Sequence, residues 1–170
     1  EISVNDGVPI QNDLKYGMVS GRKVDEDGHV IAGAIFGLFR NDENEYTAEN
    51  AYLTAESAQD GTFQFEKVPF GTWVVREIQP AKGFVLNEKA YPVTVSEDGD
   101  VVNIQLENRY IRGNIEGTKL DEDGNVIAGA VFGLFREGET EFTEGTAVRV
   151  TESDSTGKFR FEDIRYGKWI

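Results

Sequence analysis

The sequence predicts an all-β fold of tandem β-sandwich domains, and three observations lead to this prediction. A segment that begins at Ser20, SGRKVDEDGHVIAGAIFGLFR, returns ninety-six residues later as EGTKLDEDGNVIAGAVFGLFR. The repeat aligns without a gap between 17–74 and 113–170, with about half of the positions identical. Apolar residues alternate over short runs bounded by Gly, Asp and Asn, and no long stretch shows helical spacing. Both copies are therefore expected to form the same β structure.

Seven strands are expected in the first copy, which is the strand count of a β-sandwich. They are predicted near 17–24, 34–40, 51–56, 62–68, 72–78, 90–95 and 100–108. The segments DEDG and SEDGD consist of residues that favour turns, and we interpret them as hairpin turns.

The repeat predicts three parts of the chain. Residues 1–14 are interpreted as the last strand of a preceding repeat plus a linker, and 15–109 as one complete domain. Residues 110–170 match the N-terminal part of a second domain, which stops at YGKWI within the strand that corresponds to FGTWVVREI.

Composition excludes several classes of function. A net charge of −14 repels phosphate backbones and anionic lipids, so no nucleic acid partner is expected. No run of eighteen apolar residues occurs, so we expect no membrane insertion in this segment. Cysteine is absent and His29 is the only histidine, so no thiolate zinc site or Ser-His catalytic site can be assembled, and neither a metal nor a cofactor is expected. The DEDG segment lacks the later ligands of a calcium loop and is interpreted as a turn.

Three polar residues share the phase of the apolar residues in their strands. Lys23 follows Val19 and Gly21 in the alternation, Glu77 lies in the inward phase of TWVVREI, and Asn108 ends the apolar stripe of DVVNIQLEN. Because alternate side chains of a strand point to opposite faces, all three are predicted to point into one core. An unpaired buried ammonium group is unfavourable by several kcal/mol or loses its proton, so Lys23 needs a partner.

Two interpretations of these residues remain open at this point. In the first, Lys23 and Glu77 form a buried ion pair, or the lysine reaches water from the strand end, and Asn108 caps its strand. In the second, a desolvated neutral lysine attacks the side-chain amide of Asn108 while Glu77 carries the proton between them. The product would be a Lys–Asn isopeptide bond with loss of ammonia, formed by a single-turnover self-modification and not by an enzyme.

The sequence resembles the collagen-adhesin B-type domain of Gram-positive surface adhesins and pilins. The resemblance rests on KVDEDGHVIAGAIFGLF, GTFQFEKVPFGTWVVREIQPAKGF and the closing LEN, and it covers nearly all of 17–109 and the corresponding part of 113–170. It implies an inverse immunoglobulin-like sandwich in which Lys23 is joined to Asn108, between the first and last strands, with Glu77 as the catalytic residue. One departure is Phe84, where the family often has Tyr.

The second copy carries the lysine alone. Lys119 matches Lys23, but the counterparts of the glutamate and the asparagine would fall at positions 173 and 204, beyond Ile170. We therefore expect Lys119 to be unlinked within this chain.

The opening segment contains a counterpart of the acceptor. Asn12 precedes Lys23 by eleven residues, just as Asn108 precedes Lys119. Residues 1–12 are therefore interpreted as the last strand of a preceding domain, and one hypothesis is that they pair by strand addition with the incomplete second domain, without a covalent bond.

These observations predict a structural stalk or spacer segment of a bacterial cell-surface adhesin or pilin. Its location would be extracellular and anchored to the cell wall, and its partners would be neighbouring repeats of the same protein. The alternative is an adhesive module that binds a host extracellular-matrix protein or a glycan through loops such as 41–50. No site of a hydrolase or a metalloenzyme can be assembled from the residues present.

Overall fold

The computed structural model describes residues 14–170, and these residues divide into two compact units. The first unit contains the described residues up to Ala81 together with Leu86–Asn108, and the second contains Lys82–Val85 and Arg109–Ile170. Strands make up 51% of the structure, which confirms the predicted all-β fold. Among the described residues, no helix has the length and apolar character needed to cross a membrane.

The first unit contains seven strands, each within two residues of its predicted bounds. They are β1 (Tyr16–Asp25), β2 (Ile35–Arg40), β3 (Leu53–Glu56), β4 (Thr62–Pro69), β5 (Gly71–Gln79), β6 (Tyr91–Val95) and β7 (Val101–Asn108). Alternation of apolar and polar residues located these strands because one face of each packs on a core.

Two sheets face each other in this unit. One has the strand order β4-β1-β7 and the other β3-β2-β5-β6. The first strand, β1, is antiparallel to β4 and parallel to the last strand, β7. The parallel register pairs Asp25 with Asn108, so the C-terminal ends of the first and last strands lie side by side.

Aromatic packing joins the two sheets. The ring of Phe36 on β2 stacks on the ring of Phe63 on β4, with centroids 4.0 Å apart. The Phe63 ring also lies over β1 at Gly21, where an added Cβ would be 2.1 Å from a ring carbon. Glycine is therefore the residue that allows this ring to approach the strand.

The interpretation of the SEDGD turn as a hairpin turn was wrong, whereas the DEDG turn does reverse the chain into a short antiparallel bridge. The SEDGD turn connects β6 to β7, and these strands belong to different sheets. The DEDG turn follows β1 and is closed by an isolated bridge between Val24 and Val30, after which the chain enters β2 in the opposite sheet. Both turns thus carry the chain between sheets, a distinction that turn composition does not encode.

The second unit repeats part of this architecture. Its strands are β8 (Arg112–Thr118), β9 (Val131–Leu134), β10 (Arg149–Glu152) and β11 (Lys158–Arg165). β8 pairs with β11 and β9 pairs with β10, as β1 pairs with β4 and β2 with β3. The rings of Phe132 and Phe159 reproduce the stack between the sheets at 3.9 Å. Within residues 14–170, β8 has no strand beside it in the position that β7 takes beside β1.

Candidate functional site

Lys23 is enclosed in the first unit. It belongs to β1, pairs in register with Leu106 of β7, and has 0% of its surface exposed. Its ammonium nitrogen lies 5.7 Å from the centroid of the Phe36 ring. The alternation of the strand therefore directs this side chain inward, as the sequence predicts.

Glu77 approaches the lysine from the opposite sheet. It lies on β5, pairs in register with Phe36 of β2, and is 1% exposed. Its Oε1 atom is 3.3 Å from Nζ of Lys23. The two sheets thus bring a carboxyl group and an amino group into contact in the buried interior.

Asn108 completes the cluster at the end of β7. Its Nδ2 atom donates hydrogen bonds to Oε1 and Oε2 of Glu77 at 2.8 and 2.9 Å. Nζ of Lys23 donates to Oδ1 of the same amide. The parallel pairing of β1 and β7 explains this proximity, because it aligns the ends of two strands that are far apart in sequence. The three predicted residues therefore lie together, and each contacts the other two.

Burial sets the charge state that Lys23 favours. Removal from water lowers the pKa of its amino group, and the nearby carboxylates of Glu77 and Glu107 oppose this effect only in part. The lysine can therefore lose its proton more easily than an exposed lysine can. A neutral amine is a nucleophile, and the amide carbon of Asn108 is the electrophile beside it.

Asn87 is a residue of this site that the sequence analysis missed. It lies between β5 and β6, and its backbone N–H donates to Oε2 of Glu77 at 2.7 Å. Its side-chain Nδ2 donates to the hydroxyl of Tyr91 at 3.1 Å and to the carbonyl oxygen of Glu107 at 2.8 Å. A loop residue has no strand phase, so alternation could not have identified it. The only signal was its position in the sequence between the strand that carries Glu77 and the next strand.

The hydrogen bonding of the site is complete. Among the described residues, no buried side-chain nitrogen or oxygen lacks a hydrogen-bond partner. Lys23 has no exposed surface, so the alternative in which it reaches water from the strand end was wrong. The arrangement contains both the Lys23–Glu77 ion pair and an amine, a carboxyl group and an amide within reach of one another. The two interpretations differ in whether a covalent bond forms.

The other two candidate residues do not join a site. Lys119 lies just after β8 and its side chain is exposed. Asn12, and with it the hypothesis that residues 1–12 pair with the second unit, lies outside the described residues.

The DEDG turn places Asp25, Asp27 and His29 close together. One ligand atom from each lies within 4.8 Å of the others. Oδ1 of Asp25 accepts the backbone N–H groups of Asp27 and His29 at 2.9 and 2.8 Å, which is the bonding of a side-chain-capped turn. The ring of His29 is exposed and its Nδ1 lies 3.2 Å from Oδ2 of Asp25. The hydrogen bonds of a turn therefore explain why these three side chains lie close together.

Comparison with known proteins gives one strong structural likeness. The chain is similar to the TIE protein of Bacillus anthracis, with 26% sequence identity and a TM-score of 0.71 over 91% of this chain and 27% of that chain. A streptococcal ancillary pilin has 24% identity and a TM-score of 0.49 over 94% of this chain and 53% of that one. BcpA, the major pilin subunit of Bacillus cereus, has 14% identity and a TM-score of 0.48 over 91% and 87%. The chain therefore spans about a quarter of the TIE protein and about half of the ancillary pilin.

The family comparison covers both units. No curated protein sequence matches the chain. The family described as the SpaA prealbumin-like fold domain matches twice, over residues 17–110 and 113–170. Because these matches include most of the chain, the protein belongs to the SpaA prealbumin-like fold domain family, which confirms the resemblance to the B-type domains of Gram-positive surface adhesins and pilins.

Proposed function

We propose that this protein is a structural stalk segment of a bacterial surface pilin or adhesin, stabilised by an isopeptide bond between Lys23 and Asn108. Membership of the SpaA family supports a structural role at a Gram-positive surface. The observation that carries the proposal is the buried contact of Lys23, Glu77 and Asn108 between the first and last strands of one domain.

The reaction balances within these three residues. The ammonium group of Lys23 first gives a proton to Oε1 of Glu77, 3.3 Å away, which converts the ion pair into a neutral pair. The neutral Nζ then attacks Cγ of Asn108 and forms the new C–N bond. Glu77 returns a proton to Nδ2 of Asn108, 2.8 Å away, and the Cγ–Nδ2 bond breaks. Ammonia leaves, and the Glu77 carboxylate, which has just given up its proton, takes the remaining excess proton from the attacking nitrogen and passes it to water, leaving a neutral amide.

The environment favours this direction. The buried lysine is a charge that the core disfavours, and the amide product is neutral. Proton transfer by a positioned carboxyl group typically accelerates a reaction by roughly 10²–10⁴-fold. Each chain reacts once, so the activity is self-modification and not enzymatic turnover.

The bond would protect the domain against force. Tension enters at the ends of a stalk domain, along β1 and β7 in this unit. A covalent link from Lys23 to Asn108 would carry that tension directly from the first strand to the last, so residues 24–107 would bear none of it. Closing a loop of this length resembles a disulfide and contributes about 4–5 kcal/mol in the loop-entropy model.

The expected partners are neighbouring domains of the same protein in an extracellular, wall-anchored array. A tandem array follows from the repeat of one fold along the chain. Each domain would transmit load to the next, and the acidic surface would stay solvated between them.

Intact-mass measurement of the purified chain tests the proposal. We expect a mass lower than the sequence mass by one molecule of ammonia, and proteolytic fragments in which the peptides containing Lys23 and Asn108 remain joined. A chain with the full sequence mass after complete folding would contradict the proposal and leave the ion pair as the role of these residues.

A further inference from the structure

We propose that Asn87 is a positioning residue for the cross-linking reaction, holding the carboxyl group of Glu77 in the orientation that relays the proton. This inference rests on the function proposed above. It concerns a residue outside the reacting trio, and it makes a separate prediction about the rate of bond formation.

The two oxygens of Glu77 have different surroundings. Oε1 lies 3.3 Å from Nζ of Lys23 and 2.8 Å from Nδ2 of Asn108. Oε2 also accepts Nδ2 of Asn108, at 2.9 Å, but in addition it accepts the backbone N–H of Asn87 at 2.7 Å, the shortest contact of this carboxyl group with a hydrogen-bond donor. A backbone N–H can donate but cannot accept, so it favours a bare oxygen at Oε2. The mobile proton is therefore directed to Oε1, which faces both the atom that loses a proton and the atom that gains one.

The side chain of Asn87 holds that N–H in place. Nδ2 donates to the Glu107 carbonyl oxygen at 2.8 Å and to the Tyr91 hydroxyl at 3.1 Å, while Oδ1 accepts the Lys89 N–H at 2.9 Å. The residue thus bonds to β6, to β7 and to its own loop. The loop between β5 and β6 has no ladder pairing at this position, so these bonds fix where residue 87 lies.

The bond to Glu107 also links the relay to the acceptor. The carbonyl of Glu107 belongs to the peptide group that connects it to Asn108. Asn87 therefore contacts the proton carrier through its backbone and the peptide preceding the electrophile through its side chain. A carboxyl group that could rotate would place its proton away from Lys23 or Asn108 for part of the time, and positioned groups lose rate steeply when their geometry loosens.

A time course of bond formation tests this role in the full chain. The protein is made by cell-free synthesis, samples are quenched in denaturant at set times, and the fraction that has lost ammonia is read by intact mass. We expect Asn87→Ala to slow ammonia loss by about ten-fold or more, because an orienting hydrogen bond worth about 1.4 kcal/mol corresponds to a factor of ten in rate. Asn87→Asp conserves the side-chain volume but places a carboxylate oxygen against the Glu107 carbonyl, and we expect it to be at least as slow as the alanine variant.

Ser57→Ala is the matched control. The Ser57 hydroxyl accepts the Ala34 N–H at 3.0 Å in the buried part of the same unit, and among the hydrogen bonds of the described residues it does not contact the reacting trio. Thermal unfolding of each substitution in a Lys23→Ala background, where no bond can form, measures its effect on the fold alone. In the Lys23→Ala background, we expect Ser57→Ala to lower the stability by about as much as Asn87→Ala does. In the otherwise wild-type chain, we expect Ser57→Ala to leave the rate of ammonia loss close to the wild-type rate.

The outcomes separate the two proposals. Equal slowing by Asn87→Ala and Ser57→Ala, a wild-type rate for Asn87→Ala, or full activity of the isosteric Asn87→Asp would each overturn the positioning role while the isopeptide bond stands. Absence of ammonia loss from the wild-type chain would instead overturn the proposed function itself.

Discussion

The two units share half of their aligned residues, yet their equivalent lysines have opposite surroundings. Lys23 has no exposed surface and contacts Glu77 and Asn108, whereas Lys119 is exposed. The turn after each lysine is the same in sequence, and the opening strand of each unit pairs with the same partner strand. The difference therefore does not arise from the strand that carries the lysine.

The covering strands make the difference. In the first unit β5 supplies the carboxyl group and β7 supplies the amide, and both close over Lys23. Among the described residues, no strand takes these places over Lys119. The Lys-x-Asp strand therefore supplies only part of the cluster, and the side chains that enclose its lysine come from elements more than fifty residues further along the chain.

Pulling the chain between its ends should show the largest difference between the two units. We expect the second unit to extend fully and the first unit to keep residues 24–107 folded out of the extended length, because the proposed bond would bypass them. The withheld length is on the order of 300 Å, at about 3.3–3.6 Å per residue. Single-molecule force spectroscopy measures this length directly, and Asn108→Ala is the control that should release it. Full extension of the wild-type first unit would contradict the stalk mechanism.

Replacing the carboxyl group should have the next largest effect. Glu77→Ala keeps both bond partners, so we expect the full sequence mass and a free energy of unfolding lower by at least the ~4–5 kcal/mol of the missing link. In this variant the unlinked lysine is also buried without a carboxylate partner, and an uncompensated buried charge typically costs a further ~3–5 kcal/mol. Intact mass and denaturant unfolding measure the two effects. Ammonia loss at the wild-type rate from this variant would show that Glu77 is not the proton carrier.

The lysines themselves provide a matched pair of substitutions. The Lys23→Ala variant should have the full mass of its sequence, without loss of ammonia. The free energy of unfolding of the first unit should fall by about 4–5 kcal/mol through loss of the link. Lys119→Ala should change neither the ammonia deficit nor, beyond about 0.5 kcal/mol, the stability, since surface substitutions usually have small effects. Calorimetry together with intact mass distinguishes the two. If the ammonia deficit disappears in Lys119→Ala, the reacting lysine is in the second unit and the assignment of Lys23 is wrong.

The smallest effect is a dependence on pH that the bond should abolish. In Asn108→Ala the lysine stays unlinked, and burial holds its pKa below the ordinary lysine value. Between that lowered pKa and about pH 10.4 the unfolded chain binds a proton that the folded chain does not, so the free energy of unfolding should rise with pH in this window. Below the lowered pKa the contribution should be constant.

The wild-type chain and the double variant Lys23→Met/Asn108→Ala are the controls for this measurement, because neither contains a titrating amine at position 23. Denaturant titrations across the alkaline range should show the extra slope in Asn108→Ala alone. The same slope in all three proteins would assign it to other groups.

Sequence patterning predicted the strands and the inward phase of the site residues because both follow from alternation on a half-buried strand. Lys23, Glu77 and Asn108 interrupt apolar stripes, and such interruptions are visible without coordinates. Alternation could not show that the SEDGD turn crosses between sheets, since the same residues favour turns of either kind. Nor could it identify Asn87, whose role depends on where a loop lies in space. The covalent bond and the unlinked state of Lys119 stay predictions.

The parallel pairing of β1 with β7 also has a consequence for the order of events during biosynthesis. Asn108 is synthesised 85 residues after Lys23, and β7 is the last strand that the first unit needs. Contacts of such long sequence separation form late and slowly. A chain emerging from the ribosome therefore contains the lysine without its neighbour Asn108 until the whole first unit has been synthesised. The cluster of Lys23, Glu77 and Asn108 therefore assembles only after β7 has been made and has paired with β1.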